Sequence, residues 1–147
     1  MGNSDTKSNM HIVDAWRERV WAQQDASAID ELFEDDGIAG GLGRKKLAGP
    51  PEFRQFHAAI CALIDDIRLE IIDYIEQGDK LACLCTFGGT CRKTGNAIKM
   101  DGSMYYEFRN GKILHCENHF EFMDFYEQLN LMPSDSFAVA LSGQKVA

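Results

Sequence analysis

The dipeptide Asn110-Gly111, within EFRNGKIL, constrains the fold of this chain more than any other short segment. Asn-Gly is typical of the two-residue turn of a β-hairpin, because both residues tolerate the positive φ angles that this turn requires. Segments that alternate with a period of two lie on both sides of it and are separated by glycine-containing turns. The pattern predicts an antiparallel meander of four strands, at about 67–76, 80–92, 97–108 and 112–121.

The first part of the chain has a helical period instead. Residues 9–24 place Trp16 on an apolar stripe, and a short second helix is expected in ASAIDELF. A third helix begins at Pro50-Pro51, since proline suits the first helical turn, and a fourth covers about 122–130. Helices followed by a meander predict an α+β fold. We expect a single cone-shaped domain, whose three N-terminal helices pack on a curved antiparallel sheet and enclose a pocket.

We expect this domain to cover residues 9–133, between a disordered N-terminus (1–8) and a C-terminal tail (134–147). The 147-residue chain has a net charge of -8 and a pI of about 4.9, which argues against binding to nucleic acid phosphates or to an anionic membrane surface. No apolar run approaches the roughly 20 residues of a membrane span. Five cysteines are an odd number for a disulfide framework, so we expect free thiols and a cytoplasmic location.

The Asn-Gly turn also predicts which side chains share a face of the sheet. If no bulge intervenes, Arg109 pairs with Lys112 and Met104 pairs with Glu117, and opposed residues lie on one face. In the first strand the apolar face would take Ile67, Leu69, Ile71, Asp73 and Ile75. In the other three strands it would combine apolar and polar side chains: Phe87, Met100, Met104, Tyr106, Phe108, His115, Glu117, His119 and Glu121.

A mixed face of this kind predicts an acid/base site in an apolar pocket. Burying a carboxylate costs free energy unless it is paired or protonated. Polar groups among so many Phe and Met side chains must therefore have a hydrogen-bond or ion-pair partner, be hydrated, or belong to a functional site. We predict that Glu121 takes or delivers a proton and that His119 is its partner. The expected lining, for a small apolar organic molecule, is Trp16, Phe87, Met100, Met104, Tyr106, His115 and Glu117.

Simpler structural interpretations stay open beside this one. Charges on a strand at the rim of a sheet protect its edge, and a single bulge would exchange the two faces of the last strand. His57 lies on the apolar side of the third helix and is interpreted as a structural histidine. Asp73 could equally be an exposed charge near the end of its strand.

No metal or cofactor is predicted. Cys83 and Cys85 point to one face of a strand, but their spacing matches no common zinc pattern, so we interpret them as small buried residues. The segment GGLGRKKLAG lacks the spacing of a phosphate-binding loop and is interpreted as glycine-rich turns.

Four short motifs occur in a recognisable order: GPPEF, IEQGDKLA, EFRNGKI and the closing HFEFMDFYEQLNLMP. In their order and spacing, over roughly residues 9–133, the chain resembles the nuclear transport factor 2-like superfamily and, within it, the SnoaL-like polyketide cyclase group. The resemblance implies a homodimer that associates through the outer face of the sheet. It also implies that Glu121 is the acid/base residue of an intramolecular aldol closure. Many members carry a pocket histidine where this chain has Gly40 and Gly41.

Two functions are compatible with these observations. An acid/base enzyme of the cyclase, isomerase or dehydratase type would use Glu121, and the mixed face favours it. A non-catalytic module with a vestigial pocket would hold a small apolar molecule or serve for dimerisation. The missing pocket histidine and the lining rich in Cys and Met favour this second function. Because the fold hosts both kinds of protein, it does not decide between them.

Overall fold

The computed structural model describes residues 8–147, so most of the predicted disordered N-terminus lies outside the described residues. The helices are α1 (Met10–Ala15), which continues as a π-helical segment (Trp16–Ala22), α2 (Ser27–Leu32), α3 (Gly49–Leu63), α4 (Phe122–Gln128) and α5 (Ser136–Leu141). The strands are β1 (Phe33–Gly40), β2 (Leu47–Ala48), β3 (Ile64–Gln77), β4 (Lys80–Cys91), β5 (Ala97–Arg109) and β6 (Lys112–Phe120).

These strands form one six-stranded sheet in the order β2-β1-β6-β5-β4-β3. The π-helical segment packs on β3, α3 packs on β1, and α4 packs on β5. The core lies between these helices and the sheet, where Phe33, Tyr106 and Phe125 are fully buried. This arrangement confirms the predicted α+β class.

The last hairpin has the predicted turn. Asn110 and Gly111 have φ angles of 54° and 76°, and Arg109 pairs with Lys112 across them. The four predicted strands correspond to β3–β6, with ends that differ by a few residues. The Asn-Gly signal and the period of two therefore located the meander correctly.

Strand β1 was not predicted, because the segment EDDGIAGGLG is rich in glycine, which is depleted in strands. It pairs with β6 in the parallel sense, with Ile38 beside His115 and Gly40 beside Glu117. The expectation of an entirely antiparallel sheet is therefore wrong at this position. The pairing covers β6, which would otherwise be an edge strand.

A β-bulge shortly after the turn changes the register of β6. Phe108 pairs with Ile113 as predicted, but Glu107 pairs with His115, so Leu114 is an extra residue. From this point every pair is shifted by one residue, and Met104 faces Asn118. The predicted pairing of Met104 with Glu117 is wrong, and the two faces of β6 are exchanged relative to the prediction.

The first strand of the meander has a similar irregularity. The register of β3 shifts between Ile71 and Asp73, after which Asp73 pairs with Leu84 and Ile75 pairs with Ala82. Both partners belong to the outer face of β4, and the Ile75 side chain is 75% exposed. The prediction that Asp73 and Ile75 lie on the apolar face is therefore wrong, whereas Ile67, Leu69 and Ile71 do face the helices, the first two fully buried.

A four-residue loop between the second and third predicted strands would pair Cys85 with Met104 and Phe87 with Gly102, and the observed register of β4 and β5 is two residues away from this one. Phe87 pairs with Met100, and Cys85 pairs with Gly102, because the turn lies one residue earlier in the chain than expected, with the Cys91 N–H donating to the Asn96 carbonyl oxygen across it. A shift of two residues leaves each side chain on its predicted face, since the side-chain period of a strand is two. Phe87, Cys85 and Met100 accordingly lie on the buried face.

Candidate functional site

An apolar pocket lies between the helices and the concave face of the sheet. The pocket is narrow, and its empty space of about 420 Å³ includes the solvent at its open mouth. We call it the inner pocket; its lining is Trp16, Trp21, Leu42, Phe53, Phe56, Ile60, Leu69, Phe87, Met100, Met104, Cys116, Asn118, Phe120 and Phe122. Six elements therefore contribute most of the lining, namely the π-helical segment, α3 and strands β3–β6, and α4 and the β1–β2 loop add one residue each.

Aromatic rings form most of the pocket wall. The Trp16 and Trp21 indoles both pack on Phe53, with ring centroids 5.0 Å and 6.3 Å away. Phe87 approaches Trp21 edge-on at 4.9 Å and also contacts Phe120. Such walls favour flat apolar molecules, since aromatic rings attract one another in stacked and edge-on arrangements.

Asn118 is the polar side chain of the lining. Its Nδ2–H donates to the Gly40 carbonyl oxygen at 3.0 Å, and the Cys116 thiol donates to its Oδ1 at 3.4 Å. These bonds fix the amide, which is only 6% exposed. An amide group carries two N–H donors and two acceptor positions, so one of each is left for a molecule in the pocket.

The pocket lining holds no carboxylate and no imidazole, as far as residues 8–147 are concerned. Burial raises the pKa of the Cys116 thiol well above its ordinary value, so this sulfur stays protonated. Burial also raises the pKa of Tyr106, whose hydroxyl donates to the Met104 sulfur at 3.2 Å. Among the described residues, the lining of the inner pocket therefore has no side chain that exchanges a proton near neutral pH.

Four of the residues predicted to line a pocket do line it: Trp16, Phe87, Met100 and Met104. Tyr106 is on the predicted face but is fully buried in the core below the pocket and is absent from its lining. The structure therefore brings together the apolar part of the predicted site.

The polar part of the predicted site lies on the opposite face of the sheet. His115 Nε2–H donates to Glu117 Oε2 at 2.6 Å, and the other ring nitrogen lies 3.4 Å from Glu107 Oε1. Lys46 is 3.8 Å from the same Glu117 carboxylate. The hydrogen bond from His115 lowers the pKa of Glu117, so this carboxyl is ionised near neutral pH. The predicted placement of His115 and Glu117 in the pocket is wrong, because the bulge at Leu114 turns them outward.

The two residues predicted as catalytic are also outside the inner pocket. His119 pairs with Ser103 on the outer face and is exposed. Glu121 is exposed at the N-terminus of α4, where its backbone N–H donates to the Asp101 carbonyl oxygen. Its neighbours Phe120 and Phe122 line the pocket in its place. The predicted position of both side chains is wrong, while their catalytic role stays a prediction.

Gly40 and Gly41 permit close contact between β1 and β6. A Cβ atom at Gly40 would collide with the Glu117 carboxylate on the outer face, and one at Gly41, where φ is +80°, would overlap the Asn118 carbonyl oxygen. At Gly41 a larger side chain would require the backbone to move, whereas at Gly40 the flexible Glu117 side chain would have to turn away. Glycine is needed for packing at position 41, and a side chain at position 40 would point towards Glu117 on the outer face, so neither position places a histidine in the inner pocket.

Sequence reasoning missed Asn118, Cys116 and Phe120 as pocket residues. A signal for them existed in the alternation of β6, where the residues that alternate with His115, Glu117 and His119 are much less polar. Trp21 and Phe53 were missed for another reason. A helix with 3.6 residues per turn would direct Trp16 and Trp21 to different sides, so the sequence does not predict that both pack on Phe53.

A metal site is not indicated among the described residues, which contain no suitable group of three or more His, Cys, Asp or Glu side chains. Within the same part of the chain, no helix is long and apolar enough to cross a membrane. All five cysteines are free thiols, four of them buried.

A curved sheet covered on one face by helices, with an apolar pocket between them, defines the nuclear transport factor 2-like class of folds. The chain belongs to the SnoaL-like domain family, whose model matches residues 13–116. Among curated proteins, none matches this chain.

Solved structures with the same fold include proteins assigned as polyketide cyclases. One from Jannaschia sp. CCS1 has a TM-score of 0.73 at 11% identity, covering 85% of this chain and 93% of that chain. Another, from Acidithiobacillus ferrooxidans, has a TM-score of 0.72 at 17% identity and covers 86% and 97%. TerC, co-crystallised with polyporic acid, has a TM-score of 0.70 at 22% identity and covers 83% and 98%. At these identities the likeness establishes the fold alone.

Proposed function

We propose that this protein binds a small, flat, apolar organic molecule in the inner pocket without carrying out acid/base chemistry. The observation that carries this proposal is the lining itself, in which aromatic and aliphatic side chains surround the single amide of Asn118. Pockets of this composition bind through buried apolar area and use a few polar groups to set orientation.

The amide of Asn118 suggests which ligands fit best. Its free Oδ1 position accepts a hydrogen bond and its free Nδ2–H donates one, so a hydroxyl group on the ligand can satisfy either. In an apolar site an unmatched polar group costs about 1–3 kcal/mol, so a ligand that leaves this amide unpaired is disfavoured. We therefore expect an aromatic compound with a hydroxyl group. TerC, which shares the fold, was crystallised with polyporic acid.

The acid/base alternative has less support from the geometry. An amide does not take up a proton near neutral pH, and the two candidate groups, Glu121 and His119, are exposed outside the pocket. If Glu121 nevertheless acted on a bound molecule, Glu121→Gln would abolish turnover and leave binding in the pocket unchanged.

The binding proposal is tested with 2-naphthol and naphthalene, which differ by one hydroxyl group. Quenching of Trp16 and Trp21 fluorescence reports binding, since both indoles line the pocket. We expect 2-naphthol to bind about five- to tenfold more tightly, which is the worth of one neutral hydrogen bond. Asn118→Leu should remove this preference, while Asn96→Leu, at an exposed position, should preserve it. Failure of both compounds to bind, or a preference that survives Asn118→Leu, would contradict the proposal.

We also propose that the protein forms a homodimer through the outer face of the sheet. This face carries a shallow groove, which we call the outer groove, lined by Asp73, Tyr74, Ile75, Ala82, Cys83, Leu84, Ser103, Met104, Tyr105, Glu117 and His119. Ile75 and Leu84 in its middle are 75% and 58% exposed, which is unusual for large aliphatic side chains in one patch.

The two sides of the outer groove carry an imidazole, that of His119, and a carboxylate, that of Asp73, which can form a hydrogen bond with one another. Register places His119, Ser103, Leu84 and Asp73 in one row across β6, β5, β4 and β3. A second copy related by a two-fold axis through the middle of this row would bring His119 to the partner's Asp73, as an isologous interface requires.

Light scattering coupled to size-exclusion chromatography tests the dimer. We expect the wild-type protein to elute as a dimer and Leu84→Glu to elute as a monomer, because the two like charges, one from each copy, cannot be buried at the centre of the interface. Thr86→Glu, on the same strand face but outside the outer groove, is the matched control and should stay dimeric. A wild-type monomer would rule the interface out.

A further inference from the structure

The inner pocket depends on an unusual helical segment. Trp16–Ala22 is a π-helix, in which backbone bonds run from residue i to i+5, as between the Glu18 carbonyl and the Gln23 N–H at 2.9 Å. Such segments are rare and are found mostly as single turns at functional sites. Here the segment supplies both tryptophans of the pocket wall.

The π-helical winding is what sets the two indoles side by side. In an α-helix, residues five apart are turned by about 140° from one another, at about 100° per residue. In a π-helix, residue i+5 lies roughly one turn above residue i, so Trp16 and Trp21 share a face. Both consequently reach the same ring, that of Phe53.

The wider winding changes the hydrogen bonds at the end of the segment. The carbonyl oxygens of Glu18, Arg19 and Trp21 accept backbone N–H groups from Gln23, Asp25 and Gln24. The Val20 carbonyl, in the middle of this set, is met by a side chain instead: His57 on α3 lies with its Nε2 2.6 Å from that oxygen. A buried carbonyl without a partner is costly, so this side chain replaces the missing backbone donor.

The chemistry of His57 suits this role. A carbonyl oxygen only accepts, so Nε2 must carry the hydrogen. The ring is 3% exposed, and burial lowers its pKa, which keeps the imidazole neutral. It also packs against the Trp21 indole, with ring centroids 5.0 Å apart.

We propose that His57 is a positioning residue for ligand binding: by donating to the Val20 carbonyl it holds the π-helical segment, and so fixes Trp16 and Trp21 in the geometry that selects flat ligands. The inference rests on the proposed binding function for its affinity readout. The structural measurement, which reports the environment of the two indoles, is independent of the proposed binding function.

The experiment compares three variants at one helix. His57→Leu removes the donor and keeps an apolar side chain of similar size, while His57→Gln places an amide N–H near the position of Nε2. Cys61→Ala removes the thiol that lies 3.5 Å from the same nitrogen and is the matched control. Near-ultraviolet circular dichroism measures the packing of the tryptophans, and quenching by 2-naphthol measures affinity.

We expect His57→Leu to change the tryptophan dichroism and to weaken 2-naphthol binding by about tenfold. His57→Gln should restore both to within about threefold of the wild-type affinity, and Cys61→Ala should alter neither. Unchanged dichroism in a folded His57→Leu protein would overturn the inference, whatever the result for 2-naphthol. Altered dichroism without 2-naphthol binding in the wild type would contradict the proposed function and leave the geometric role of His57 supported.

If His57→Leu does not fold, the wild-type protein still decides the question. Nitrogen-15 NMR of the histidine rings should show His57 as the Nε2–H tautomer, with a slowly exchanging ring proton that shifts when 2-naphthol is added. A ring with its hydrogen on Nδ1, or one whose Nε2 proton exchanges freely, would overturn the inference.

Discussion

Strand β6 has two faces with opposite chemistry on the same nine residues. Its inner face presents Cys116 and Asn118 to a pocket of aromatic and aliphatic side chains. Its outer face presents His115, Glu117 and His119 to solvent or to a partner. The inner face therefore carries a thiol and an amide, neither of which exchanges a proton near neutral pH, and the charged side chains of the outer face do not reach the pocket.

The difference shows how a strand can carry many ionisable groups beside a dry pocket at little energetic cost. On the outer face the Glu117 carboxylate has His115 and Lys46 as partners and keeps about a quarter of its side chain exposed. On the inner face the corresponding positions hold a thiol and an amide, both hydrogen-bonded to each other. One bulged residue, Leu114, keeps the two sets apart.

The separation of the two faces of β6 is tested most directly by changing the length of the strand. After insertion of one alanine between Leu114 and His115, β6 can pair with β5 in two ways. Either the bulge becomes wider, or the residues after the insertion exchange the inner and outer faces of the sheet. An exchange would bury Glu117 and both imidazoles against the helices, so we expect a loss of about 5 kcal/mol or more in the free energy of unfolding. Urea denaturation followed by circular dichroism measures it.

Deletion of Leu114 is the control for this insertion. Without the extra residue, a regular ladder still pairs Glu107 with His115 and Met104 with Asn118, so both faces are kept. We expect a loss of only about 1–2 kcal/mol, from the contacts of a half-buried leucine, and continued binding of 2-naphthol. Equal effects of insertion and deletion would show that register does not separate the two faces.

The bulge also explains which part of the site could be predicted from sequence. Asn110-Gly111 specifies the turn locally, and it correctly predicts the pairs next to the turn, Arg109 with Lys112 and Phe108 with Ile113. A bulge at Leu114 has no comparable local signal. It follows from the burial energies of all the residues beyond it, because only the shifted register keeps His115 and Glu117 in contact with water.

Two other features could not be predicted from the sequence, for different physical reasons. Strand β1 could not be predicted because Gly37 and Gly40 lower its strand propensity, although Gly40 allows close packing on Glu117 of β6. The π-helical segment could not be predicted because no periodic pattern in the sequence indicates it. Its hydrogen-bond pattern depends on a tertiary contact, from His57 to the Val20 carbonyl. The apolar residues Phe87, Met100 and Met104 were predicted correctly, since a shift of two residues does not change their face.

Asn118→Asp and His119→Asp introduce the same carboxyl group on the two faces of β6. At Asn118 the carboxyl is buried and loses the N–H that bonds to Gly40, so we expect a destabilisation of about 2–4 kcal/mol at neutral pH. At the exposed His119 the expected change is within about 0.5 kcal/mol when both variants are made in the Leu84→Glu background, in which the proposed dimer interface is absent. Thermal or urea unfolding of the two variants measures the difference.

The pH dependence of the Asn118→Asp variant gives a further check. Burial should raise the pKa of the new carboxyl in the folded state above its unfolded value of about 3.9, so the folded protein binds more protons. The destabilisation should then grow as the pH rises above about 4 and shrink in acid. A penalty that is independent of pH would mean that the new side chain reaches solvent, and that the pocket is less dry than its lining indicates.

The smallest expected effect belongs to the outer face. The hydrogen bond from His115 lowers the pKa of Glu117, so this carboxylate contributes stability above its unfolded pKa of about 4.5 and loses that contribution as the pH falls through its folded value. The pair is partly exposed and screened by solvent, so Glu117→Gln should cost less than about 1 kcal/mol at neutral pH and flatten the stability curve below pH 4.5. Binding of 2-naphthol should be unaffected, because the side chain lies on the other side of the sheet from the inner pocket. An altered affinity of the Glu117→Gln protein for 2-naphthol would show that the two faces of the sheet are energetically coupled, which contradicts their separation in the structure.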